Sequence, residues 1–225
     1  MKVFGKNVVR ELLSTPEKVK KIYLTSNFKD QEIMQKIKES HVQYETMDSR
    51  AMNQLSDNNQ GIMAVINDYE YVEYHTMLQD EIIVILDHLE DPHNFGAIIR
   101  TCEAAGIKSI IIPKDRSVDV SPTVMKTSAG ALEYVNIAMV NNLTNTINTL
   151  KENGYFIYGA EADGSDYTKV DFSGKTVLVI GSEGNGLSSL VRKTCDEIIS
   201  LPMKGHVNSL NASVAAGILI YNIIK

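Results

Sequence analysis

Apolar and polar positions follow two different patterns along the chain. Up to residue 67, short apolar stretches alternate with amphipathic segments, which is typical of a small α/β unit. The spacing predicts helices over residues 6–13, 31–40 and 49–54, and strands over 21–25, 42–45 and 62–67.

From residue 81 the strands become continuously apolar, and helical segments separate them. Strands are predicted over 82–86, 109–112, 135–139, 156–160, 176–180 and 197–201. Helices are predicted over 95–105, 123–129, 143–152, 187–194 and 210–224. Apolar strands joined by helices indicate a mostly parallel sheet covered on both faces, so we expect an α/β protein.

The stretch between these two regions, residues 68–80, is polar, contains three tyrosines and has no clear period. We therefore interpret it as a linker. The predicted organisation is a small domain over 1–67, a linker over 68–80 and a larger domain over 81–225.

Length and composition set the class of protein. A chain of 225 residues that is 44% hydrophobic can bury a substantial core. Its longest apolar runs fall far short of the ~20 residues of a membrane helix, and the first residues lack an apolar export signal. These features predict a soluble cytoplasmic protein without a membrane partner.

The net charge of −6 argues against a nucleic-acid partner, because affinity for phosphate backbones comes largely from Lys and Arg. The charge is unevenly distributed, however. Residues 1–67 carry 10 basic and 8 acidic side chains, whereas residues 68–225 carry 12 and 20. Any contact with nucleic acid is therefore expected on the first segment.

Cysteine and histidine offer little catalytic chemistry. Cys102 and Cys195 lie far apart without metal-site spacing, so both are predicted to be structural thiols. A polar group after the first long apolar strand imitates a metal site but lacks a fourth ligand, so a solvated turn is favoured and no metal is expected. This group consists of His88, Glu90, Asp91 and His93.

The segment GSEGNG, residues 181–186, follows an apolar strand and at first suggests a nucleotide loop. Its spacing is G-x-x-G-x-G, it lacks the GK[ST] of a phosphate loop, and it comes late in the domain. The first strand of the domain is followed by HLEDPHNFGAIIR, which has no glycine-rich turn. A dinucleotide, ATP or Rossmann-type methyltransferase site is therefore disfavoured.

Three motifs follow the ends of apolar strands. They are N-x-G-x-x-x-R at Asn94, Gly96 and Arg100, GSEGNG at 181–186, and LPMKGHVNSLNASVAAG at 201–217. Since open α/β sheets bind ligands at the carboxyl ends of their strands, the three motifs predict one composite pocket.

These motifs resemble those of the SpoU, or TrmH, family of RNA ribose methyltransferases in the SPOUT superfamily, over roughly residues 80–225. Residues 1–67 resemble the small ribosomal protein L30e-like substrate-binding domain of the large-subunit rRNA guanosine-2′-O-methyltransferase branch. FGKNVVRELL at 4–13 and NQGIMAVI at 59–66 carry that part of the resemblance, and KTSAGALEYV at 126–135 in the larger domain resembles the same branch.

The resemblance implies S-adenosyl-L-methionine as cofactor, an RNA partner with rRNA favoured over tRNA, no DNA, and a homodimer with the active site near its interface. It also implies a C-terminal trefoil knot, where connectivity rules alone would predict an open doubly wound sheet. RNA is expected to contact the basic side chains of the small domain: Lys6, Arg10, Lys18, Lys20 and Lys21.

By the same resemblance, the cofactor lies among backbone groups of several loops. Those loops contain Ala160, Glu161, Ile180, Gly181, Gly184, Leu201, Met203, Gly205, Ser209 and Leu210. The glycines at 181, 184 and 205 are expected to allow the backbone to approach the adenosine closely, because no Cβ intervenes.

Arg100 is the first catalytic candidate, with Glu183 as the alternative acid or base. A guanidinium group rarely releases its proton, so binding phosphate and stabilising negative charge is the easier role for Arg100. Glu183 fits a proton-transfer role if it is partly buried, or else it anchors its loop. Asn94, Ser209 and Asn211 would orient Arg100, the ribose or the loop, although Asn211 also suits a plain helix cap.

Two rival functions remain open from the sequence. One is a tRNA ribose 2′-O-methyltransferase with the same catalytic domain. The other is a non-catalytic RNA-binding or ribosome-assembly factor, against which the intact set of polar motif residues argues.

Overall fold

The chain divides into two units, Met1–Glu70 and Tyr71–Lys225. This computed structural model describes the backbone of residues 1–225 and the side chains of all of them except Glu17. Residues 71–80, expected as linker, belong to the second unit. A 3-10 turn at Tyr74–Met77 places the Met77 side chain in the core of that unit, because this short stretch carries apolar side chains that can be buried there.

The first unit is a four-stranded sheet with three helices. Its strands are β1 Lys2–Phe4, β2 Val19–Thr25, β3 Tyr44–Met47 and β4 Ile62–Ile66, and its helices are α1 Lys6–Leu12, α2 Gln31–Glu39 and α3 Ser49–Leu55. The strand order is β1-β4-β2-β3; β3 pairs parallel with β2, and the other pairs are antiparallel. The pattern had not predicted β1, whose three residues form a strand only by pairing with β4.

Several basic side chains of the first unit are paired with carboxylates. Lys6 lies 3.2 Å from Asp30, Arg10 lies 3.2 Å from Glu32, and Lys21 lies 2.6 Å from Glu45. Three of the five basic residues expected to contact RNA therefore have part of their charge compensated within the unit. These pairs are partly exposed and are screened by salt, so they weaken the local positive potential without abolishing it.

The second unit alternates strands and helices along the chain. Its strands are β5 Ile82–Asp87, β6 Ser109–Pro113, β7 Asn136–Val140, β8 Phe156–Asp166, β9 Thr176–Gly181 and β10 Glu197–Ser200. Its helices are α4 Pro92–Ala104, α5 Pro122–Thr127, α6 Leu143–Glu152, α7 Ser189–Thr194 and α8 Ala212–Ile223.

The six strands of the second unit form one sheet in the order β10-β8-β9-β5-β6-β7, and every neighbouring pair is parallel. The predicted α/β class with a mostly parallel sheet is confirmed. Since β10 pairs with β8 rather than with β9, the chain crosses back over earlier elements. This order is compatible with the trefoil knot implied by the resemblance, which stays a prediction.

The core lies on both faces of this sheet because β5 and β9 are buried along almost their whole length. Alternate side chains such as Ile83 and Ile85 pack with α6 and α7 on one face. Helices α5 and α8 both pack against α4, and α8 also contacts β9. Among the described residues, no helix is long and apolar enough to cross a membrane.

Candidate active site

A cavity of about 640 Å³ opens at the carboxyl ends of β9 and β10 and beside the middle of β8, where the pairing of β8 with β9 ends. Its walls are residues 160–162 of β8, the loop after β9, the segment after β10 and the first turns of α8. Small-molecule sites usually measure about 300–1,000 Å³. The cavity therefore has the size and the position on the sheet of a ligand site.

The cavity collects residues from motifs that are far apart in sequence. Nine of the ten residues expected around a cofactor line it: Ala160, Glu161, Ile180, Gly181, Gly184, Leu201, Met203, Ser209 and Leu210. Gly205 does not, and nothing lies within 4 Å of the place where its Cβ would be. Two catalytic candidates, Glu183 and Asn211, also line the cavity.

The segment between β10 and α8 offers free backbone groups to a ligand. Within the described part of the chain, the backbone N–H and C=O groups of residues 202–210 make no hydrogen bonds, and this irregular stretch is mostly exposed. Beside it lie the apolar side chains of Ile180, Ile199 and Leu219. A flat aromatic ligand could pack against these apolar side chains while the unpaired backbone groups form hydrogen bonds with the polar atoms at its edge.

Glycine is required at and after the end of β9 by the local structure, whereas the sequence had suggested the close approach of a cofactor as the reason. A Cβ at Gly181 would overlap the backbone of Gly186, and a Cβ at Gly186 would lie 2.5 Å from a carboxylate oxygen of Glu161. Gly184 has open space around it but adopts a left-handed φ of 84°. The loop thus needs glycine for its own close contacts and backbone conformation, whatever ligand approaches it.

Glu161, in the middle of β8, is hydrogen-bonded to the loop that follows β9. Its Oε1 accepts a hydrogen bond of 2.6 Å from the backbone N–H of Leu187. Because Glu161 also lines the cavity, its carboxylate contributes both to the shape of the loop and to the polarity of the wall.

A hydrogen-bonded group of three side chains joins the three motifs. The Asn94 amide Nδ2 donates to Oε1 of Glu183 and, at 3.2 Å, to Oδ2 of Asp91. The Asn211 amide donates to Oδ1 of Asn94 at 3.0 Å. Asn94 is buried, so this arrangement satisfies its amide almost completely.

Asn211 has two tasks at the start of α8. Its Oδ1 caps the helix by accepting from the backbone N–H groups of Ser213 and Val214 at 2.9 and 3.3 Å, while its amide reaches Asn94. The plain helix-cap interpretation therefore holds for Asn211, but it accounts for only one end of the side chain. Ser209 lines the cavity, and no described group is hydrogen-bonded to it.

Arg100 lies on α4, six residues after Asn94, and does not line the cavity. It is exposed and forms no hydrogen bond or ion pair with the described residues. Glu183 is likewise exposed on its loop, so the partial burial on which its expected proton-transfer role depended is absent. What the structure supports for Glu183 is its hydrogen bond to Asn94.

Asp87, at the end of β5, is a buried carboxylate that the sequence had not singled out. It is 1% exposed, accepts from the backbone N–H of Ser188 at 2.6 Å, and lies 2.6 Å from Nδ1 of His88. It thereby ties the loop after β9 to the loop after β5. The signal in the sequence was a charged residue directly after a fully apolar strand.

The cysteines and the polar turn after β5 have structural environments. Burial raises the pKa of Cys102 to about 12 and that of Cys195 to about 11, so neither thiol is an activated nucleophile. Asp91 caps α4, and the backbone N–H of His93 lowers the pKa of the Asp91 carboxyl. No group of three His, Cys, Asp or Glu among the described residues is arranged to hold a metal ion.

Two family models match the chain. The SpoU rRNA methylase family model matches residues 81–221, and the model for RNA 2′-O ribose methyltransferase substrate binding matches residues 2–72. A Staphylococcus saprophyticus protein assigned to the TrmH family of tRNA/rRNA methyltransferases is 41% identical over 99% of this chain and 94% of its own length. A Staphylococcus aureus protein assigned to the same family is 40% identical over 99% and 95%.

Solved structures share the fold over the whole chain or over about two thirds of it. The SpoU methyltransferase AviRb from Streptomyces viridochromogenes, in complex with AdoMet, matches with a TM-score of 0.83 at 23% identity over 100% of this chain and 89% of its own. An AdoMet-bound rRNA methyltransferase from Sinorhizobium meliloti matches with a TM-score of 0.81 at 24% identity over 99% and 85%. The A. aeolicus TrmH/SpoU tRNA modifying enzyme matches with a TM-score of 0.58 at 31% identity over 65% and 75%.

The family models account for the two parts of the chain, and the three motifs that meet at the cavity fall within the larger match. The chain therefore belongs to the SpoU (TrmH) family of RNA methyltransferases.

Proposed function

We propose that this enzyme transfers a methyl group from S-adenosyl-L-methionine to the ribose 2′-hydroxyl of a guanosine in large-subunit rRNA. The observation that carries the proposal is the meeting of all three motifs at one cavity, through the hydrogen bonds of Asn94 with Glu183 and Asn211. Two of these three side chains line the cavity itself.

The cavity fits the cofactor by its own chemistry. The adenine ring would lie against apolar side chains such as Ile180 and Leu219, and the free backbone groups of residues 202–210 would bind its polar edge. When bound, S-adenosyl-L-methionine supplies a methyl group that its sulfonium makes electrophilic. The protein's task is then to place a ribose oxygen in line with that methyl, and such positioning can supply about 7–11 kcal/mol of the barrier.

The polar residues have separable roles in this reaction. Asn94 and Asn211 hold the Glu183 loop against the start of α8, which keeps the cavity in one shape. Glu183, exposed at the rim, is placed to accept a hydrogen bond from a ribose hydroxyl. Arg100 keeps a guanidinium without an internal partner, which suits it to an RNA phosphate and to negative charge forming on the 2′-oxygen.

Large-subunit rRNA is preferred over tRNA because of the first unit. The substrate-binding match covers residues 2–72, and the S. meliloti rRNA methyltransferase corresponds to 99% of the chain. The A. aeolicus tRNA modifying enzyme corresponds to only 65%. We infer guanosine as the modified nucleoside because residues 1–67 resemble the small domain of the large-subunit rRNA guanosine-2′-O-methyltransferases.

A homodimer is part of the proposal, and α8 supports it. Val214, Ile218 and Tyr221 are spaced four and three residues apart, so they lie along one side of the helix. They are 50%, 37% and 50% exposed. An apolar stripe of this kind on a helix beside the cavity is suited to pack against a second copy, which would bring that copy's residues near the site.

The test is methyl transfer from labelled S-adenosyl-L-methionine to unmodified transcripts of large-subunit rRNA and tRNA in parallel, with nucleoside analysis of the product. Label recovered as 2′-O-methylguanosine from rRNA alone is the expected result. Label in tRNA would keep the reaction and overturn the substrate. No label in either transcript or in immature large ribosomal particles would overturn the reaction and favour a non-catalytic RNA-binding factor.

A further inference from the structure

A second cavity lies beside the first. It measures about 270 Å³ and is lined by three loops that follow β5, β6 and β9. The lining residues are Asp87, His88, Glu90, Arg116, Ser182, Asn185, Gly186, Leu187 and Ser188. Three of them, Ser182, Asn185 and Gly186, line the larger cavity as well, so one loop separates the two spaces.

The second cavity lies where the strand order of the sheet reverses. From β5, the chain places β6 and β7 on one side, whereas β9, β8 and β10 lie on the other. The carboxyl ends of β5 and β9 therefore border a crevice, and ligands of open α/β sheets bind at such reversals. The larger cavity lies at β8, β9 and β10 and leaves this position available.

Two nitrogen-bearing side chains from different loops line this space. Arg116 is exposed and forms no hydrogen bond or ion pair with described residues. His88 has its Nδ1 2.6 Å from Asp87, which orients the ring and leaves Nε2 for a ligand. Both carboxylate oxygens of Asp87 are therefore engaged within the protein, because the second oxygen accepts from the backbone N–H of Ser188 at 2.6 Å.

Both residues also hold a backbone conformation that L-residues rarely adopt. The φ of His88 is 58° and that of Arg116 is 51°. The two loops are fastened together, since the backbone N–H of Val118 and Oγ of Ser117 both donate to the carbonyl of Leu89, at 2.7 and 3.2 Å. Left-handed non-glycine residues tend to concentrate at functional sites, where the surrounding structure maintains them.

We propose that the second cavity binds a ribose-phosphate unit of the RNA, next to the nucleotide whose ribose is methylated. This inference rests on the proposed function. Arg116 binds the phosphodiester, His88 Nε2 contributes a second hydrogen bond, and the exposed Glu90 carboxylate accepts from a ribose hydroxyl. Glu90 repels the single charge of a phosphodiester less than the partly dianionic free phosphate, and only the nucleotide offers a hydroxyl group to its carboxylate, so the site prefers a phosphodiester with a neighbouring ribose hydroxyl.

The loop of residues 182–186 forms part of the wall of both cavities. A nucleotide held on the β5 and β6 side of residues 182–186 is separated from the larger cavity only by that loop. Binding at the second cavity would therefore set the register of the strand, so that one particular ribose reaches the methyl donor.

The experiment compares Arg116→Gly with Lys114→Ala in the full chain. Glycine accepts the left-handed backbone at 116, so this variant removes the guanidinium without adding strain. Lys114 is an exposed cation on the same loop that does not line the cavity, which makes it the matched control. Binding of an in vitro large-subunit rRNA transcript is measured over a range of salt concentrations, and S-adenosyl-L-methionine binding is measured by calorimetry.

For Arg116→Gly we expect RNA affinity to fall on the order of tenfold and the slope of log K against log salt to shrink by about 0.7–0.9. Lys114→Ala should change affinity much less, and both variants should bind S-adenosyl-L-methionine like the unmodified chain. Equal losses in the two variants, or none in Arg116→Gly, would overturn the inference. A parallel assay of methyl transfer by the unmodified chain tests the proposed function separately, since RNA binding can depend on Arg116 whether or not a methyl group is transferred.

Discussion

Asn211 donates a hydrogen bond of 3.0 Å to Asn94, across 117 positions of sequence, while its own side-chain oxygen caps α8. One side chain thus joins the start of the last helix to the first motif. Through Asn94 the connection continues to Glu183 in the second motif. The geometry of the site therefore depends on a residue whose helix-capping role would otherwise hide its second task.

Replacing Asn211 separates these two tasks. Asn211→Asp keeps an oxygen that caps α8 but removes the amide donor to Asn94, so we expect stability to change little and methyl transfer to fall at least tenfold. Asn211→Ala removes both functions and should also lower the free energy of unfolding by about 1 kcal/mol. Urea unfolding and methyl-transfer rates measure the two effects. If Asn211→Asp lost as much stability as Asn211→Ala and kept normal turnover, the assignment of capping to the side-chain oxygen and of site geometry to the amide would be contradicted.

Arg100 should be required for turnover but not for cofactor binding, because it lies outside the larger cavity. Arg100→Ala is expected to bind S-adenosyl-L-methionine normally in calorimetry and to lose most of its methyl transfer. Arg100→Lys is the matched variant: it keeps the charge but loses bidentate geometry, so partial activity is expected. Loss of cofactor binding in Arg100→Ala would contradict this role.

Mixing two inactive variants tests whether Arg100 acts across a dimer. In a heterodimer of Arg100→Ala and Glu183→Ala chains, one complete site forms only if Arg100 comes from the partner of the chain that supplies Glu183. Co-expressed chains carrying different tags should then recover up to about half of the activity of the unmodified dimer. Absence of recovery in a purified heterodimer would mean that both residues act within one chain.

Interrupting the apolar stripe of α8 should separate the subunits. Tyr221→Glu places a charge on the exposed stripe beside Ile218 and Val214, so we expect sedimentation to change from dimer to monomer. Tyr44→Glu is a suitable control, because Tyr44 is similarly exposed but lies in the first unit. A Tyr221→Glu chain that stays dimeric would exclude this face as the interface.

Two glycines of the same loop should respond differently to alanine. Gly184 and Gly186 both have left-handed φ values, 84° and 64°, so each substitution should cost about 1–2 kcal/mol of local stability. Only at position 186 would the new Cβ also meet the Glu161 carboxylate, which holds Leu187. Gly186→Ala should therefore weaken S-adenosyl-L-methionine binding far more than Gly184→Ala, as measured by calorimetry; equal effects would contradict this explanation.

Tyr155 should make stability sensitive to alkaline pH. Its one hydroxyl hydrogen is shared between the carbonyls of Met77 and Asp80, whose oxygens lie 3.1 and 2.5 Å from Oη, and burial, with the charge of Asp80, raises the pKa of Tyr155 to about 12. A raised pKa means that the stabilisation is complete below the ordinary value of 10 and is lost as pH rises toward 12.

Tyr155→Phe isolates this contribution. At pH 7 the variant should be less stable by about 1–3 kcal/mol, because the carbonyl groups of Met77 and Asp80 lose the hydrogen that they share. The difference from the unmodified chain should shrink between pH 10 and about 12, since an ionised tyrosine cannot donate. The alkaline response of Cys102 is common to both chains and cancels in the comparison. Urea unfolding at several pH values measures the difference in unfolding free energy between the two chains. A difference that stays constant from pH 7 to about 12 would contradict the prediction.

The sequence by itself determined the class of the fold, and nine of the ten residues that it predicted around a cofactor line the larger cavity. β5 and β9 were predictable because a strand buried on both faces needs an uninterrupted apolar run, which is a local property. Residues 161–166 were expected outside a strand, yet β8 continues to Asp166, because Ser165 and Asp166 pair with Ile199 and Ser200 of β10 after a shift in register. Such pairing depends on segments distant in sequence and leaves no local pattern.

The tertiary structure alone decided how the motif residues act together. The spacing of Asn94, Glu183 and Asn211 in the sequence says nothing of their hydrogen bonds, since those form only when α4, the loop after β9 and the start of α8 come together. It likewise decided that Gly186 is needed beside Glu161 and that Asp87 is buried under the same loop. Motifs specify chemical groups, whereas distances, burial and partners arise from the packing of elements that are remote along the chain.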